Sequence, residues 1–147
     1  MPADANGEVR AGDVFRERRA FSTEALAQFS ALTHDPNPIH TAGPSSGAGG
    51  AGGRGPLVHG ALLGSVFPSI IGSRFPGAIY REQTLTFRRP VHADEEVVGE
   101  VSVARVAPLR TPGGAGAAPR RHLVTAHTRL HDAAGLLAVD GHAKFIL

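Results

Sequence analysis

One stretch of this chain fixes most of what it can fold into. Over residues 58–71, Leu62, Val66 and Ile70 stand on one i,i+4 row and Leu63, Phe67 and Ile71 on the adjacent row, while Ala61, Gly64 and Ser65 keep the remaining surface small. A helix that is apolar on nearly every side has no face for water and must be buried. Pro68 lacks a backbone donor and crowds the carbonyl four residues back, so it is expected to kink this helix or end its regular part. Around the helix the second half of the chain supplies period-2 runs rich in Val, Leu, Thr and Phe, over about 79–87, 97–106, 122–131 and 136–147. Pro90 with residues 94–96, the stretch 108–119 and residues 132–135 punctuate them as turns, the second as a lengthened hairpin loop. Four strands after one buried helix imply an α+β plan: an antiparallel meander wrapping the helix.

The first half is more varied. Residues 13–21 are weakly strand-like, and a helix is predicted over about 23–32, with Ser22 as N-cap, Glu24 in the first turn and Ala25, Leu26 and Phe29 as a short apolar face. It runs into Thr33-His34-Asp35-Pro36-Asn37-Pro38-Ile39-His40, which two prolines hold out of helix as a rigid, irregular loop. Residues 41–56 are Gly, Ala, Ser and little else, a flexible surface connection. A length of 147 residues suits one domain with a real core. The expected organisation is a flexible N-terminus over 1–8 and a single domain over 9–147 carrying a Gly-rich loop at 43–56.

The charge balance argues against a nucleic-acid partner. Lys and Arg number 15 against 13 Asp and Glu, and the pI of 9.9 reflects how little titrates between His and Arg in a chain without Cys. Basic residues are scattered apart from short pairs such as Arg18-Arg19 and Arg88-Arg89, and aromatics at 5% build no stacking platform. The absence of Cys excludes a disulfide framework, a zinc-thiolate site and a thiol nucleophile. No run approaches the roughly 18 apolar residues of a membrane span, and the first residues hold no apolar signal core. Arg10, Arg16, Arg18 and Arg19 would suit a transit peptide, but Glu8, Asp13 and Glu17 dilute them. The expectation is a protein of the cytoplasm or mitochondrion, neither secreted nor membrane-bound.

Chemistry concentrates in Asp35-Pro36-Asn37-Pro38-Ile39-His40, where a carboxylate, an amide and an imidazole share a loop stiffened by Pro36 and Pro38. General acid/base groups must sit within hydrogen-bond reach of substrate, and a stiff backbone spares the ordering entropy. The same residues also fit a proline-terminated helix followed by ordinary turn formers. His34, Asp35 and His40 hold the donor types of a two-His, one-carboxylate metal site, but the adjacent side chains of 34 and 35 need not converge, and no metal or other cofactor is expected. Gly47-x-Gly49-x-x-Gly52 spells the dinucleotide fingerprint, yet no strand precedes it and no acid occurs over 43–81 to hold a ribose. His92, His122, His127, His131 and His142 show no ligand spacing and read as surface or interface residues.

The segment Phe29-Ser30-Ala31-Leu32-Thr33-His34-Asp35-Pro36-Asn37-Pro38-Ile39-His40 resembles the hydratase-2 motif of MaoC-like dehydratases and (R)-specific enoyl-CoA hydratases, in which a helix ends in Gly-Asp-x-Asn-Pro-aliphatic-His. Two further segments match in order: Gly55-Pro56-Leu57-Val58-His59-Gly60 resembles the family's lead into its central helix, and Phe87-Arg88-Arg89-Pro90-Val91 its Phe-x-x-Pro-Val strand end. By size the chain is similar to the type 2 hydroxyacyl-thioester dehydratases. His34 departs from the family's Gly, and residues 43–53 lack the apolar helical stretch that helps cover the family's pocket.

The resemblance implies a hot-dog fold, a curved antiparallel sheet around one long helix, assembled as a homodimer. It implies a hydratase/dehydratase of (R)-3-hydroxyacyl and trans-2-enoyl thioesters carried on CoA or acyl carrier protein. Asp35 and His40 become the catalytic pair, with Asn37 orienting them. Hydration needs a base for water at C3 and an acid at C2, and one Asp and one His flanking a single water can serve both. Gly60 at the helix start, with His59, is the candidate for holding the thioester oxygen, since a helix N-terminal amide without a side chain allows close approach. Ser65 could enter the pocket or simply permit tight helix–sheet packing. Arg81, Arg88 and Arg89 are candidates for an anionic carrier, or plain solvated strand residues. The rival readings are a catalytically silent hot-dog binding module and a hot-dog acyl thioesterase.

Overall fold

Alternation of side chains builds one sheet. In β4 (Val97–Pro108), Val97, Gly99, Val101 and Val103 turn inward, and in β5 (His122–His131) Val124, Ala126, Thr128 and Leu130 do the same. With β6 (Leu137–Ile146) they form the expected antiparallel meander. The computed structural model describes residues 8–41, 55–109 and 121–147. The expectations for residues 1–7, for the Gly-rich connection over 42–54 and for the hairpin loop over 110–120 lie outside the described residues.

The sheet has six strands rather than four. β1 (Val14–Arg19) is a full strand paired with β4, Val14 opposite Ser102, and the order runs β1-β4-β5-β6-β2. The run predicted as one strand over 79–87 is two, β2 (Ile79–Gln83) and β3 (Thr86–Phe87), both paired with β6. Between them the Thr84 carbonyl presses so close to Gly141 of β6 that a Cβ there would lie 1.9 Å away. The strand breaks where its backbone turns into the space that glycine leaves.

The helical elements follow the sequence closely with one correction. The Ser22 hydroxyl accepts the Ala25 amide at 3.1 Å and starts α1 (Thr23–Thr33), whose Leu26 is fully buried. The apolar stretch forms α2 (Gly60–Gly64) and α3 (Val66–Arg74), interrupted at Ser65. Pro68 does not end the helix. It occupies the first turn of α3, where a missing amide costs nothing, and its ring displaces the carbonyl four residues earlier, putting the break at Ser65 instead.

α3 packs on β1 and β4. Val66, Phe67, Ile70 and Ile71 join Phe15, Val101, Leu130 and Phe145 in the core, each nearly free of solvent. Each such burial contributes about 1.5–3 kcal/mol. Gly99 lets α3 sit tight on the sheet, since a Cβ there would lie 2.5 Å from Val66 Cγ1. No helix among the described residues is long and apolar enough to cross a membrane.

Candidate active site

The site begins where α1 stops. His34 takes a left-handed conformation (φ 57°), the role for which glycine is favoured, and its amide donates to the Ser30 carbonyl. Its side chain is exposed. The turn delivers Asp35, whose amide also donates to Ser30 O at 3.1 Å. Asn37 steadies Asp35 through its backbone, its N–H donating to Asp35 Oδ1 at 3.0 Å. Its side chain faces the other way and accepts the Ile39 amide at 3.3 Å, capping the short 3-10 turn Pro38–His40. In place of the irregular loop expected from the sequence stands a capped turn with Pro38 at its first position, where proline's fixed φ fits.

That turn buries His40. Its Nδ1 lies 2.7 Å from the Leu57 carbonyl, which can only accept, so Nδ1 carries the hydrogen and Nε2 is left with its lone pair in the neutral ring. Leu57 in turn donates its amide to Ile39 O at 2.8 Å, closing the backbone around the imidazole. Nε2 faces Asp35 Oδ2 at 3.6 Å. Two acceptors face each other across a gap too long for a direct hydrogen bond, an arrangement that a water donating to both would satisfy.

His59 completes the cluster. Its ring stacks on His40 with centroids 3.7 Å apart and planes inclined by 20°, and Phe29 meets it edge-on at 4.8 Å. Its Nε2 pairs with Ser30 Oγ at 2.9 Å, while its buried Nδ1 has no hydrogen-bond partner among the described residues. Burial, and then the neighbouring His40, hold its pKa below the ordinary 6.5 against an opposing pull from Asp35, which favours the neutral imidazole. The sequence expectation paired His59 with Gly60 for substrate. The ring is only 3% exposed and packs on the catalytic candidate instead. Ser30 carries no functional signal of its own in the sequence, because nothing in its local spacing foretells a partner 29 residues away.

The metal donor set that the structure assembles is Asp35, His40 and His59, with ligand atoms within 4.8 Å of one another, and not the His34 combination. It does not fit an ion. Imidazole lone pairs lie in the ring planes, and two planes stacked 3.7 Å apart and nearly parallel cannot both contain one metal about 2 Å from each nitrogen.

His40 opens onto a cavity of about 400 Å³ walled by Ile39, Leu57, Leu63, Phe87, Val91 and the backbone at Gly60. The amide of Gly60, first residue of α2, has no acceptor within its own helix. Ser65 lies outside this wall: its side chain is exposed and its hydroxyl donates to Leu62 O at 2.6 Å. Five helical residues after Gly60 it faces well away from Gly60's side. Arg88 and Arg89 flank the cavity, paired with Asp140 and Asp132, each at 3.3 Å. Arg81 stands apart beside Glu82, Leu123 and Lys144, so the three arginines do not form one rim. His92, expected at the surface, is buried, its Nδ1 3.1 Å from Gly55 O, whereas His127 and His142 lie exposed and paired across β5 and β6.

A six-stranded antiparallel sheet wrapped on a central helix, with a carboxylate and an imidazole meeting beside a mostly apolar pocket at the helix start, defines a hot-dog protein. Within that class the chain belongs to the MaoC-like family, whose model, described as "MaoC like domain", matches residues 7–118. It is 44% identical over 93 residues to the mitochondrial 3-hydroxyacyl-[acyl-carrier-protein] dehydratase of Arabidopsis thaliana, a match covering 63% of this chain and 55% of that one. The matched part thus spans about half of that relative's length. It is 36% identical over 137 residues to the (R)-specific enoyl-CoA hydratase of Aeromonas caviae, covering 92% of each. The solved structure named (R)-hydratase from A. caviae involved in PHA biosynthesis superposes with a TM-score of 0.76 at 34% identity, over 97% of this chain and 98% of that one.

Proposed function

We propose that this chain is a hydro-lyase that interconverts (R)-3-hydroxyacyl and trans-2-enoyl thioesters, with Asp35 and His40 as its acid–base pair. The observation that carries this reading is the tautomer lock on His40: with Nδ1–H tied to Leu57 O, the free Nε2 lone pair faces Asp35 Oδ2 across 3.6 Å. A water between them donates a hydrogen bond to Asp35 with the hydrogen it keeps and loses its other proton to Nε2 as its oxygen bonds to C3. The C2–C3 π pair moves toward the thioester oxygen, where the Gly60 amide stabilises the enolate. His40, now imidazolium, returns its proton to C2 on the same face, so one water is added and both groups regain their starting states. Dehydration is the reverse path.

The apolar cavity beside His40 suits the acyl chain. The names of the two relatives support CoA and acyl carrier protein as alternative carriers. Arg88 and Arg89 at the cavity mouth supply the positive charge either would meet. The reading includes a homodimer, as expected of the family, and the relative's mitochondrial name supports that compartment over the cytoplasm.

The test follows the enoyl-thioester absorbance of crotonyl-CoA after adding protein, with Asp35→Asn and His40→Ala in parallel. Loss of absorbance with wild type, and rates lower by about 10² to 10⁴ in each variant, is the expected result. Equal rates in all three would remove Asp35 and His40 from the chemistry. No turnover of short or medium enoyl thioesters on either carrier would favour the silent module.

A further inference from the structure

We propose that His59, held by Ser30, is a positioning residue for His40: its ring is the wall that keeps the His40 imidazole with Nδ1 on Leu57 O and Nε2 on Asp35. This rests on the acid–base reading of Asp35 and His40 and assigns His59 to that machinery rather than to the substrate.

A single hydrogen bond does not fix an imidazole. The contact from Nδ1 to Leu57 O sets one in-plane direction, and the ring can still rotate about its side-chain torsions unless something packs against its face. His59 covers one face of His40 at 3.7 Å. It is itself fixed from two sides, by Ser30 Oγ at 2.9 Å on Nε2 and by the edge of Phe29 at 4.8 Å. Ser30 and Phe29 belong to α1, the helix whose end delivers Asp35. The same element therefore places Asp35 directly and His40 through His59, so the two halves of the pair keep their separation together.

The step His40 performs constrains the ring stacked on it, and what histidine adds to a plain apolar ring is the tie to Ser30 Oγ. His40 gains a proton during turnover, and the group stacked on it must not carry charge of its own. His59 is buried to 3% exposure, and the charged or titratable groups beside it are His40 and Asp35. Its burial keeps the ring neutral, and a neutral π face accommodates the imidazolium. The cost is an unpartnered Nδ1, an unusual defect in a buried core and one tolerated most often where function uses the site.

Three variants and two readouts test this in the full-length protein. His59→Asn removes the ring but keeps polar groups, His59→Phe keeps a flat neutral ring, and Ser30→Ala removes one hydroxyl, so a result remains if His59→Asn does not fold. The first readout is kcat and KM for crotonyl-CoA hydration; the second is the His40 tautomer from ¹⁵N chemical shifts, which needs no turnover. In wild type the second readout gives one tautomer, protonated at Nδ1. His59→Asn is expected to lower kcat about 10- to 100-fold with KM little changed, and to mix the tautomers. Ser30→Ala shifts both in the same direction by less, and His59→Phe restores most of kcat. A wild-type kcat and an unmixed tautomer in both Ser30→Ala and His59→Asn would overturn the proposal. So would a rise in KM alone, which would return His59 to substrate binding. If wild type turns over no thioester yet the variants still mix the tautomers, the acid–base reading fails while the positioning of His40 by His59 stands.

Discussion

A Cβ added to Gly60 would lie 2.6 Å from Cζ and 2.8 Å from Cε1 of Phe87. The contact joins the start of α2 to β3, and it closes one side of the cavity beside His40. Phe87 is 54% exposed, so its ring can swing away, but only by moving within the cavity mouth that substrate must enter. Gly60→Ala is therefore expected to fold and to lose at least about tenfold in kcat/KM, since a misplaced donor or acyl group costs on that order. Adding Phe87→Ala should recover part of the loss. No recovery would mean that the new methyl obstructs the thioester oxygen itself.

Glycines elsewhere separate packing from catalysis. At Gly141 the obstacle is the Thr84 carbonyl, 1.9 Å from the position of a Cβ, and backbone held between two paired strands and hydrogen-bonded to His142 O cannot step aside cheaply. At Gly99 the obstacle is Val66 Cγ1 at 2.5 Å, a side-chain end that can turn. Gly141→Ala should destabilise by about 3 kcal/mol or more and Gly99→Ala by about 1–2 kcal/mol. Denaturant midpoints read the order, and a reversal would mean the β2–β3 break yields more easily than its contacts imply.

Local signals were legible in the sequence and long-range ones were not. Ser22 before an apolar-periodic run gave the start of α1, and strict alternation gave β5 to the residue. The partnering of β1 with β4 left no trace in residues 13–21, because pairing is decided by the sheet and not by the strand. Pro68 marked a discontinuity correctly, but its steric effect falls on the carbonyl four residues earlier, so the break appears at Ser65. In the site, motif residues close in sequence assembled as expected: Asp35, Asn37 and His40 share one turn. The Ser30–His59–His40 stack did not follow from spacing, since it depends on how two separate helices face each other.

His34 at φ 57° offers a stability test independent of the chemistry. A non-glycine residue in the left-handed region costs about 1 kcal/mol or more, offset in part by glycine's greater freedom in the unfolded chain. Its side chain is exposed and makes no hydrogen bond, ion pair or ring contact with Asp35 or His40 among the described residues. His34→Gly should stabilise the protein by roughly 0.5–1 kcal/mol in denaturant unfolding, with hydration of crotonyl-CoA unchanged. A fall in activity would show that this imidazole takes part in the site.

The lowered pKa of His59 makes folding stability depend on pH with a definite sign. The unfolded ring titrates near 6.5 and the folded ring below it, so on acidification the unfolded state takes up a proton that the folded state refuses. Stability is then complete above the unfolded value and declines as pH falls through it toward the folded value. Glu100 has the same sign in a more acidic window: burial works to raise its pKa, but the Ser102 hydroxyl and Arg16, with Arg129, prevail and hold it below 4.5. Its contribution is present above that value and is lost only in stronger acid, outside the window where His59 acts. Unfolding free energies measured at about pH 7.5 and about pH 5.5 isolate the histidine. Wild type should lose more stability across that interval than His59→Phe, which has nothing to titrate at the position. Parallel losses in the two proteins would mean that the folded His59 accepts a proton as readily as the unfolded one, and the neutral wall beside His40 would have to be abandoned.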